Sequence, residues 1–216
     1  MSSSVADLRK EYTRDGLHES DAQASPFEQF RAWFDEAMAS DQVMEPNAMT
    51  LSTATPQGAP SARIVLLKGF DAHGFVFYTN YDSRKGRELD ANPQAALTFH
   101  WDRLERQVRI EGTVERIAPE ASDAYFQSRP RGSRLGAWTS PQSQEIADRT
   151  VLTDRLAAMQ ERFTEDEPVP RPPHWGGYRV RPHTIEFWQG RRSRLHDRLC
   201  YRVQEDQSWT LVRLAP

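Results

Sequence analysis

Hydrophobic positions near the start of the chain recur with helical spacing. From Pro26 onward, apolar residues lie three and four apart, at Phe27, Phe30, Trp33, Phe34, Ala37 and Met38. This spacing predicts a helix whose apolar stripe packs in the core, with Ser25 as its cap and Pro26 in its first turn. The preceding residues are mostly polar, so we predict a flexible N-terminal arm over residues 1–25 and a single domain over residues 26–216.

After Asn47 the pattern changes to short strands separated by turns. Apolar runs predict strands over residues 48–54, 62–67, 75–79, 95–101, 107–117, 178–180, 184–188, 199–203 and 209–213. Helical spacing predicts further helices from Ser83, over residues 119–127 and over residues 143–163. Strands at such short intervals favour an antiparallel sheet over βαβ units. We therefore predict an α+β fold, mainly antiparallel β, with a barrel-like core flanked by helices.

The composition excludes several classes of protein. The chain has a net charge of -3 and is 38% hydrophobic and 27% charged, which is ordinary for a folded domain. The longest aliphatic run, residues 64–67, is far shorter than the roughly 20 residues of a membrane helix. Cys200 is the only cysteine, so an intrachain disulfide is excluded, and its apolar surroundings predict a buried, unreactive thiol. With no secretory signal in the sequence, we expect a cytoplasmic protein.

Motifs of several common enzyme sites are absent. The sequence contains no G-x-G-x-x-G or G-x-x-x-x-G-K-[ST] nucleotide motif, no H-E-x-x-H zinc motif and no G-x-S-x-G nucleophile elbow. The histidines show no spacing typical of metal ligands, so we expect no metal. Catalysis by this chain would therefore depend on an organic cofactor.

Two basic clusters fall in the first half of the chain. Arg63 and Lys68 delimit one predicted strand, and a period of two places them on opposite faces, where they could serve two different anionic groups. A strand with solvated ends is the alternative. Arg84 and Lys85 follow Ser83 at a predicted helix start, where the free N–H groups already attract anions. Two cations there favour a phosphate site over a solvated turn.

Two more basic clusters fall in the second half. Tyr125, Arg129 and Ser133 lie where a helix is predicted to end in a Pro/Gly turn that also carries Arg131 and Arg134. These donors suit a phosphate monoester, although an exposed arginine-rich loop is the alternative.

The last cluster follows Trp188. There, Arg194, His196 and Arg198 would share one face of an extended strand, with Asp197 on the other face. A histidine between two arginines is a candidate functional residue. Clustered arginines with aromatic residues also occur in nucleic-acid-binding proteins. The negative net charge and the lack of a recognisable nucleic-acid-binding motif make that the minor hypothesis.

Short strings in a fixed order along the chain carry a specific resemblance. They are Arg-Ile-Val-Leu-Leu-Lys (63–68), Phe-Tyr-Thr-Asn (77–80), Ser-Arg-Lys (83–85), Leu-Glu-Arg-Gln-Val (104–108), Ser-Arg-Pro-Arg (128–131), Gly-Ala-Trp (136–138), Gln-Ser (142–143), Trp-Gly-Gly (175–177), Glu-Phe-Trp-Gln-Gly (186–190), Arg-Leu-His-Asp-Arg (194–198) and Arg-Leu-Ala-Pro (213–216). Together they resemble the pyridoxamine 5′-phosphate oxidase family, from the Arg9-Lys-Glu-Tyr12 arm to the last residue.

The resemblance implies a Greek-key-like, FMN-binding split β-barrel that forms a homodimer with FMN at the subunit interface. It also implies oxidation of pyridoxamine or pyridoxine 5′-phosphate by O2 to pyridoxal 5′-phosphate, with release of hydrogen peroxide. A hydride equivalent would pass from the exocyclic carbon of the substrate to flavin N5. No nucleic-acid or membrane partner is expected.

The resemblance also assigns residues, position by position. The implied FMN contacts are Arg63, Ile64, Val65, Leu66, Tyr78, Thr79, Arg84, Lys85, Gln107, Gln142, Ser143, Trp188 and Arg198. The implied substrate contacts are Lys68, Tyr125, Arg129 and Ser133 at the phosphate, Arg194 and His196 as catalytic residues at the ring, and Arg9 and Tyr12 in the closing arm.

Two rival functions remain open from the sequence. A related split-barrel flavoprotein could act on another substrate, but it would be expected to lack the six substrate residues Lys68, Tyr125, Arg129, Ser133, Arg194 and His196, which are all present. A non-enzymatic protein that binds nucleic acid or stores pyridoxal phosphate is the second rival.

Overall fold

The computed structural model describes residue 5, residues 11–13 and residues 15–216. It contains five α-helices and nine strands within those residues. The helices are α1 (Pro26–Ala39), α2 (Arg84–Ala91), α3 (Pro119–Ser128), α4 (Arg131–Thr139) and α5 (Thr150–Arg162). The strands are β1 (Ala48–Ala54), β2 (Pro60–Leu66), β3 (Gly69–Asp71), β4 (Gly74–Asn80), β5 (Gln94–Trp101), β6 (Arg106–Arg116), β7 (Trp175–Gln189), β8 (Asp197–Val203) and β9 (Trp209–Arg213).

The strands form one sheet in the order β2-β1-β5-β6-β7-β4-β3, with β8 paired to β7 and β9 paired to β8. Pairings of β4 with β7, β7 with β8 and β8 with β9 are antiparallel. The long strand β7 pairs with β4 through residues 175–180 and with β8 through residues 184–189. This confirms the predicted α+β fold with a mainly antiparallel sheet.

The chain divides into two compact units. The first consists of Met1–Thr50, Ala96–Gly112 and Pro182–Pro216, and the second of Leu51–Ala95 and Thr113–Arg181. The single domain over residues 26–216 stays a prediction.

The core of the first unit is built on the aromatic stripe of α1. Ser25 caps this helix by accepting a hydrogen bond from the Phe27 N–H. Phe30 contacts Phe99 with ring centroids 5.1 Å apart, and Trp33 meets the edge of Phe187 at 5.3 Å. Phe30, Trp33 and Ala37 are buried as predicted, but Met38 is 60% exposed. Met38 lies directly after Ala37, so it falls at the edge of the helix face that packs inward.

Within the first unit, the described part of the arm is anchored to residues near the C-terminus. Leu17 is buried, and its N–H donates to Asp197 Oδ2 at 3.0 Å. Arg213 binds both carboxylate oxygens of Glu19, at 2.7 and 2.8 Å, and the Tyr201 hydroxyl donates to the Gln23 carbonyl. Whether the arm moves as a lid stays a prediction.

The core of the second unit joins α3, α4 and α5 to the start of β7. Its buried cluster consists of Phe126, Leu135, Phe163, Val169 and Trp175. Trp138, Leu156 and Met159 pack against this cluster as partly buried residues.

Three predicted element boundaries were wrong. Residues 131–139 form α4 instead of a turn, because the chain resumes helical geometry directly after Pro130 and buries Leu135 and Thr139. The helix predicted over residues 143–163 begins only at Thr150, whose N–H donates to Asp148 Oδ1 at 2.7 Å, and the left-handed φ of 67° at Ser143 is incompatible with a helix start there. The strands predicted at 178–180 and 184–188 are one strand, in which Pro182 falls between the two paired segments of β7.

The described residues contain no helix with the length and apolar character needed to cross a membrane. Within the same residues, no group of three or more His, Cys, Asp or Glu side chains could hold a metal ion. Cys200 is buried, and burial raises the pKa of its thiol, as an unreactive cysteine requires.

Candidate active site

The second unit contains a cleft of about 530 Å³. Its predicted lining residues come from β2, β4, α2, α3, α4, the β2–β3 and α3–α4 connections and the segment before α5: Arg63, Ile64, Val65, Leu66, Lys68, Tyr78, Thr79, Lys85, Tyr125, Arg129, Ser133 and Gln142. Asn80, Pro130 and Trp175 complete the lining and were not predicted. Many of the predicted cofactor and substrate residues therefore share one cavity.

At one end of this cleft, Arg63 is fixed by hydrogen bonds from its guanidinium. Its Nη1 donates to Thr53 Oγ1 at 2.6 Å and to the Leu51 carbonyl at 3.2 Å, and its Nη2 donates to Ser61 Oγ. The Arg63 side chain is 20% exposed, so a preorganised positive charge remains accessible to a ligand.

Glu88 on α2 balances part of this positive charge. Its Oε2 lies 3.4 Å from Arg63 Nη2, and its Oε1 accepts from Arg84 Nε at 2.9 Å. Burial works to raise the pKa of Glu88, but hydrogen bonds from Ser61, Thr53 and Arg84 together lower it to about 2. No sequence pattern selected Glu88, because its partners on β1 and β2 are distant in the chain.

Lys85 provides a second cation in the cleft. Ser83 caps α2 by accepting from the Gly86 N–H, which places Lys85 in the first turn, as predicted. Lys85 Nζ donates to Gln142 Oε1 at 2.9 Å and to Thr79 Oγ1 at 3.2 Å. Burial, together with the charge of Arg63, lowers the pKa of Lys85 to about 8. Two cations held close together without full neutralisation are typical of an anion site.

The prediction that Arg63 and Lys68 serve opposite faces of one strand was wrong. Strand β2 ends at Leu66 and β3 begins at Gly69, so the two-residue alternation stops before Lys68. The Lys68 N–H instead donates to the Val76 carbonyl at 2.8 Å. Both cations line the same cleft.

Aromatic rings form the wall of the cleft around Arg129. Tyr78 stacks on Tyr125 at a centroid distance of 3.9 Å and on Trp175 at 5.4 Å. The Arg129 guanidinium carbon lies 4.6 Å from the centroid of Trp175. Arg129 Nη1 is buried and has no hydrogen-bond partner among the residues that the structure describes, and burial lowers the pKa of this side chain. A buried donor without a partner is costly, and an anionic ligand would satisfy it.

The first unit holds a second group of predicted residues, around His196. The rings of Tyr12 and Trp188 lie 5.5 and 4.6 Å from the His196 ring, centroid to centroid. His196 Nδ1 accepts from the Arg191 backbone N–H at 3.1 Å, which assigns the proton of the neutral ring to Nε2. Burial and the nearby charge of Arg194 lower the pKa of His196.

The prediction that Arg194, His196 and Arg198 share a strand face was wrong. Residues Arg192–Arg194 form a short 3-10 turn, Arg194 has a left-handed φ of 62°, and β8 begins only at Asp197. Arg198 lies on β8 and forms a bidentate ion pair with the buried Glu186, with both contacts at 2.9 Å. The hydrogen bond to Glu186 raises the pKa of Arg198.

A second cavity of about 530 Å³ lies beside this group in the first unit. Tyr12, Thr13, Asp15, Arg191, Arg192, Ser193 and Leu195 line it. Thr13 is held by its N–H, which donates to Glu105 Oε2 at 2.9 Å. The residues of the arm and of the 191–195 turn therefore form one surface.

The remaining predicted residues are placed individually. Gln107 lies on β6 in the first unit, Arg84 pairs with Glu88, and Ser143 is exposed at the left-handed turn before α5. Arg9 lies outside the described residues.

Comparison with known proteins gives two family matches. A family described as pyridoxamine 5′-phosphate oxidase matches residues 34–163, and one described as the pyridoxine 5′-phosphate oxidase C-terminal dimerisation region matches residues 175–216. A Gloeothece citriformis protein named pyridoxine/pyridoxamine 5′-phosphate oxidase is 61% identical over 216 residues, which covers all of both chains. A Ralstonia pickettii protein of the same name is 61% identical over 213 residues, 99% of each chain.

Solved structures with the same fold include PhzG from Burkholderia lata in complex with tetrahydrophenazine-1-carboxylic acid. It superposes with a TM-score of 0.85 and 31% identity, covering 94% of this chain and 98% of PhzG. A pyridoxamine 5′-phosphate oxidase-related, FMN-binding protein from Nostoc punctiforme superposes with a TM-score of 0.71. It is 19% identical and covers 90% of this chain and 100% of its own, which shows the fold alone.

Proposed function

This chain belongs to the pyridoxamine 5′-phosphate oxidase family, and we propose that it oxidises pyridoxine 5′-phosphate with O2 to pyridoxal 5′-phosphate and hydrogen peroxide. With pyridoxamine 5′-phosphate, water is also consumed and ammonia is also released. The observation that carries the proposal is the cleft of the second unit, which is lined by two sets of cationic and polar groups that we assign to two phosphates. One set surrounds Arg63 and Lys85, and the other surrounds Lys68 and Arg129. A reaction between a phosphorylated cofactor and a phosphorylated substrate needs both.

The first set fits the phosphate of FMN. Arg63 and Lys85 are cations held by side-chain hydrogen bonds, and Thr79 and Gln142 add polar groups beside Lys85. The exposed edge of β2 at Ile64–Leu66 and the ring of Tyr78 offer apolar surface for the flavin rings. FMN bound there would supply a hydride acceptor that O2 can reoxidise. Arg84, Gln107, Ser143, Trp188 and Arg198 are proposed as further contacts to FMN.

The second set is proposed to bind the phosphate of the substrate. Lys68, Tyr125, Arg129 and Ser133 line the cleft, and the buried Nη1 of Arg129 is the donor that this phosphate would satisfy. Charge-assisted hydrogen bonds to a phosphate fix its position, so the attached pyridine ring has little freedom to rotate away from the flavin.

We assign Arg194 and His196 to the reacting end of the substrate. The Arg191 N–H holds His196 Nδ1 as an acceptor, so the neutral ring presents an Nε2 proton that can be donated to a substrate heteroatom. The lowered pKa of His196 favours this neutral form near pH 7. Arg194 adds a positive charge near His196, and Tyr12 and Arg9 of the arm are proposed to cover the substrate.

The match to a dimerisation region at residues 175–216 supports a homodimer. We propose that FMN binds at the interface between its subunits. We also propose a cytoplasmic location and a lid function for residues 1–25.

A coupled assay tests the function directly. Protein loaded with FMN is supplied with pyridoxine 5′-phosphate or pyridoxamine 5′-phosphate in air, and pyridoxal 5′-phosphate and hydrogen peroxide are both quantified. We expect equal amounts of the two products, and much less of both from Arg129→Leu. Loaded protein that forms neither product would contradict the proposal.

A further inference from the structure

Trp175 lines the cleft, although no role was predicted for it from the sequence, where it belongs only to the Trp-Gly-Gly string (175–177). It is the first residue of β7, it is only 6% exposed, and it lines the cleft beside Arg129 and Tyr125. Its backbone carbonyl accepts from Arg171 Nη1 at 2.7 Å, which helps to fix the start of the strand. A residue held so firmly can serve as a rigid surface for its neighbours.

Arg129 is held by aromatic rings instead of by a carboxylate. Its guanidinium carbon lies 4.6 Å from the Trp175 centroid and 5.4 Å from the Phe126 centroid. Within the described part of the chain, no ion pair of Arg129 is formed, whereas Arg63, Arg84, Arg116 and Arg198 each pair with an acidic side chain. Aromatic rings therefore hold the Arg129 guanidinium in position, and no acidic side chain of the described residues neutralises its positive charge.

The same indole supports two tyrosines of the cleft. Tyr78 lies nearly parallel to Trp175, at an interplanar angle of 11°, and Tyr125 lies at 7° with a centroid distance of 6.2 Å. A shift of the indole would move Arg129 and Tyr125 together.

We propose that Trp175 is a positioning residue for the substrate phosphate, which holds Arg129 by a cation–π contact and thereby keeps its charge and its free N–H available to the phosphate. An Asp or Glu in this place would hold the guanidinium equally well, but it would compete with the phosphate for the same donors and repel it. The face of an aromatic ring attracts the cation and leaves the edge N–H groups unoccupied. This inference rests on the proposed function, because it assigns a role within the same site.

The test uses FMN-loaded full-length protein and the variants Trp175→Leu and Trp175→Phe. We expect Trp175→Leu to raise KM for pyridoxine 5′-phosphate roughly 10- to 30-fold, the range that a desolvated cation–π contact supports, with kcat changed far less. Trp175→Phe keeps a ring with a weaker cation–π contact, so it should raise KM by only about threefold. The affinity for inorganic phosphate, measured by calorimetry, should be highest in the wild type, lower in Trp175→Phe and lowest in Trp175→Leu.

Trp138→Leu is the matched control. Trp138 packs on the same buried cluster and has its own cation–π partner, Arg162 at 5.0 Å, but it does not line the cleft. We expect a loss of thermal stability in this variant with an unchanged KM. If Trp175→Leu fails to fold, Trp175→Phe and Trp138→Leu still separate the two roles.

A double-mutant cycle decides whether Trp175 acts through Arg129. In an Arg129→Leu background, Trp175→Leu should raise KM by less than about twofold, because the guanidinium that Trp175 positions is already absent. An equal rise in KM in both backgrounds, or equal KM values for wild type and Trp175→Leu, would overturn this inference. Wild-type protein that does not oxidise pyridoxine 5′-phosphate at all would instead overturn the proposed function.

Discussion

The ring of Tyr12 lies directly over Gly190. A Cβ atom at position 190 would stand 2.7 Å from both Cγ and Cδ1 of Tyr12 and 3.2 Å from Glu105 Cβ. The Gly190 N–H also donates to the Glu105 carbonyl at 2.7 Å, so the backbone cannot easily retreat. Glycine at this position is what allows Tyr12 to approach Trp188 and His196.

Gly190→Ala should therefore displace the Tyr12 ring and weaken substrate binding. We expect KM for pyridoxine 5′-phosphate to rise roughly tenfold, because one aromatic contact of about 1 kcal/mol and its burial are lost. Steady-state kinetics at saturating FMN measure the effect. Gly132→Ala is the control, since a Cβ there meets nothing within 4 Å, and it should leave KM unchanged. Equal KM values for Gly190→Ala and wild type would show that Tyr12 does not contribute to substrate binding.

Glu88 should make the protein sensitive to acid. Its pKa in the folded protein is about 2, against 4.5 for the free side chain. A lowered carboxylate pKa stabilises the fold above the unfolded value, and this contribution is lost as the pH falls from 4.5 towards 2. The difference corresponds to about 3 kcal/mol at neutral pH.

Thermal unfolding of Glu88→Gln at pH 6 and pH 3 tests this expectation. The Tm gap between wild type and Glu88→Gln should be large at pH 6 and much smaller at pH 3. Glu19→Gln is the comparison, because Glu19 forms an exposed pair with Arg213 and should change Tm only slightly. A gap for Glu88→Gln that is equal at both pH values would contradict the assignment.

Lys85 should make FMN binding dependent on pH. Burial and Arg63 lower its pKa to about 8, so the apoprotein loses this positive charge above that pH, whereas a bound phosphate would retain the proton. We expect Kd for FMN to rise about tenfold between pH 8 and about pH 9.3. Lys85→Arg should abolish this pH dependence because arginine stays charged, and Lys68→Met should keep it. A wild-type Kd that is constant over this range would separate Lys85 from the FMN phosphate.

Arg194 and His196 should affect turnover much more than cofactor retention. Each of Arg194→Ala and His196→Ala should lower kcat/KM by roughly 100-fold or more, the range of a lost catalytic group. The Kd for FMN should stay within about twofold of the wild-type value, since neither residue is assigned to FMN. Kinetics at saturating flavin and flavin fluorescence titrations give the two quantities. Full activity of either variant would exclude that residue from the reaction.

Local signals in the sequence predicted most of the secondary structure. The Ser83 cap of α2, the start of α1 at Pro26 and the strand over residues 48–54 all follow from interactions between near neighbours in the chain. Capping and hydrophobic periodicity operate at that range, so they are visible without the fold.

Features that depend on the fold were missed or misplaced. Lys68 shares a cleft with Arg63 because the strand breaks after Leu66, which no local pattern indicated. The left-handed φ of Arg194 likewise ended the strand geometry predicted for Arg194 and His196. Trp175 acquires its contact with Arg129 only when α3 packs on β7, where the Gly177 N–H donates to Ser122 Oγ.

The central claim is that the chain transfers reducing equivalents from a phosphorylated B6 vitamer to FMN. The visible spectrum of the FMN-loaded protein, recorded without oxygen before and after addition of pyridoxamine 5′-phosphate, tests it most directly. We predict that the flavin band bleaches and that it recovers when air is admitted. A flavin band that does not respond to the substrate would contradict the account.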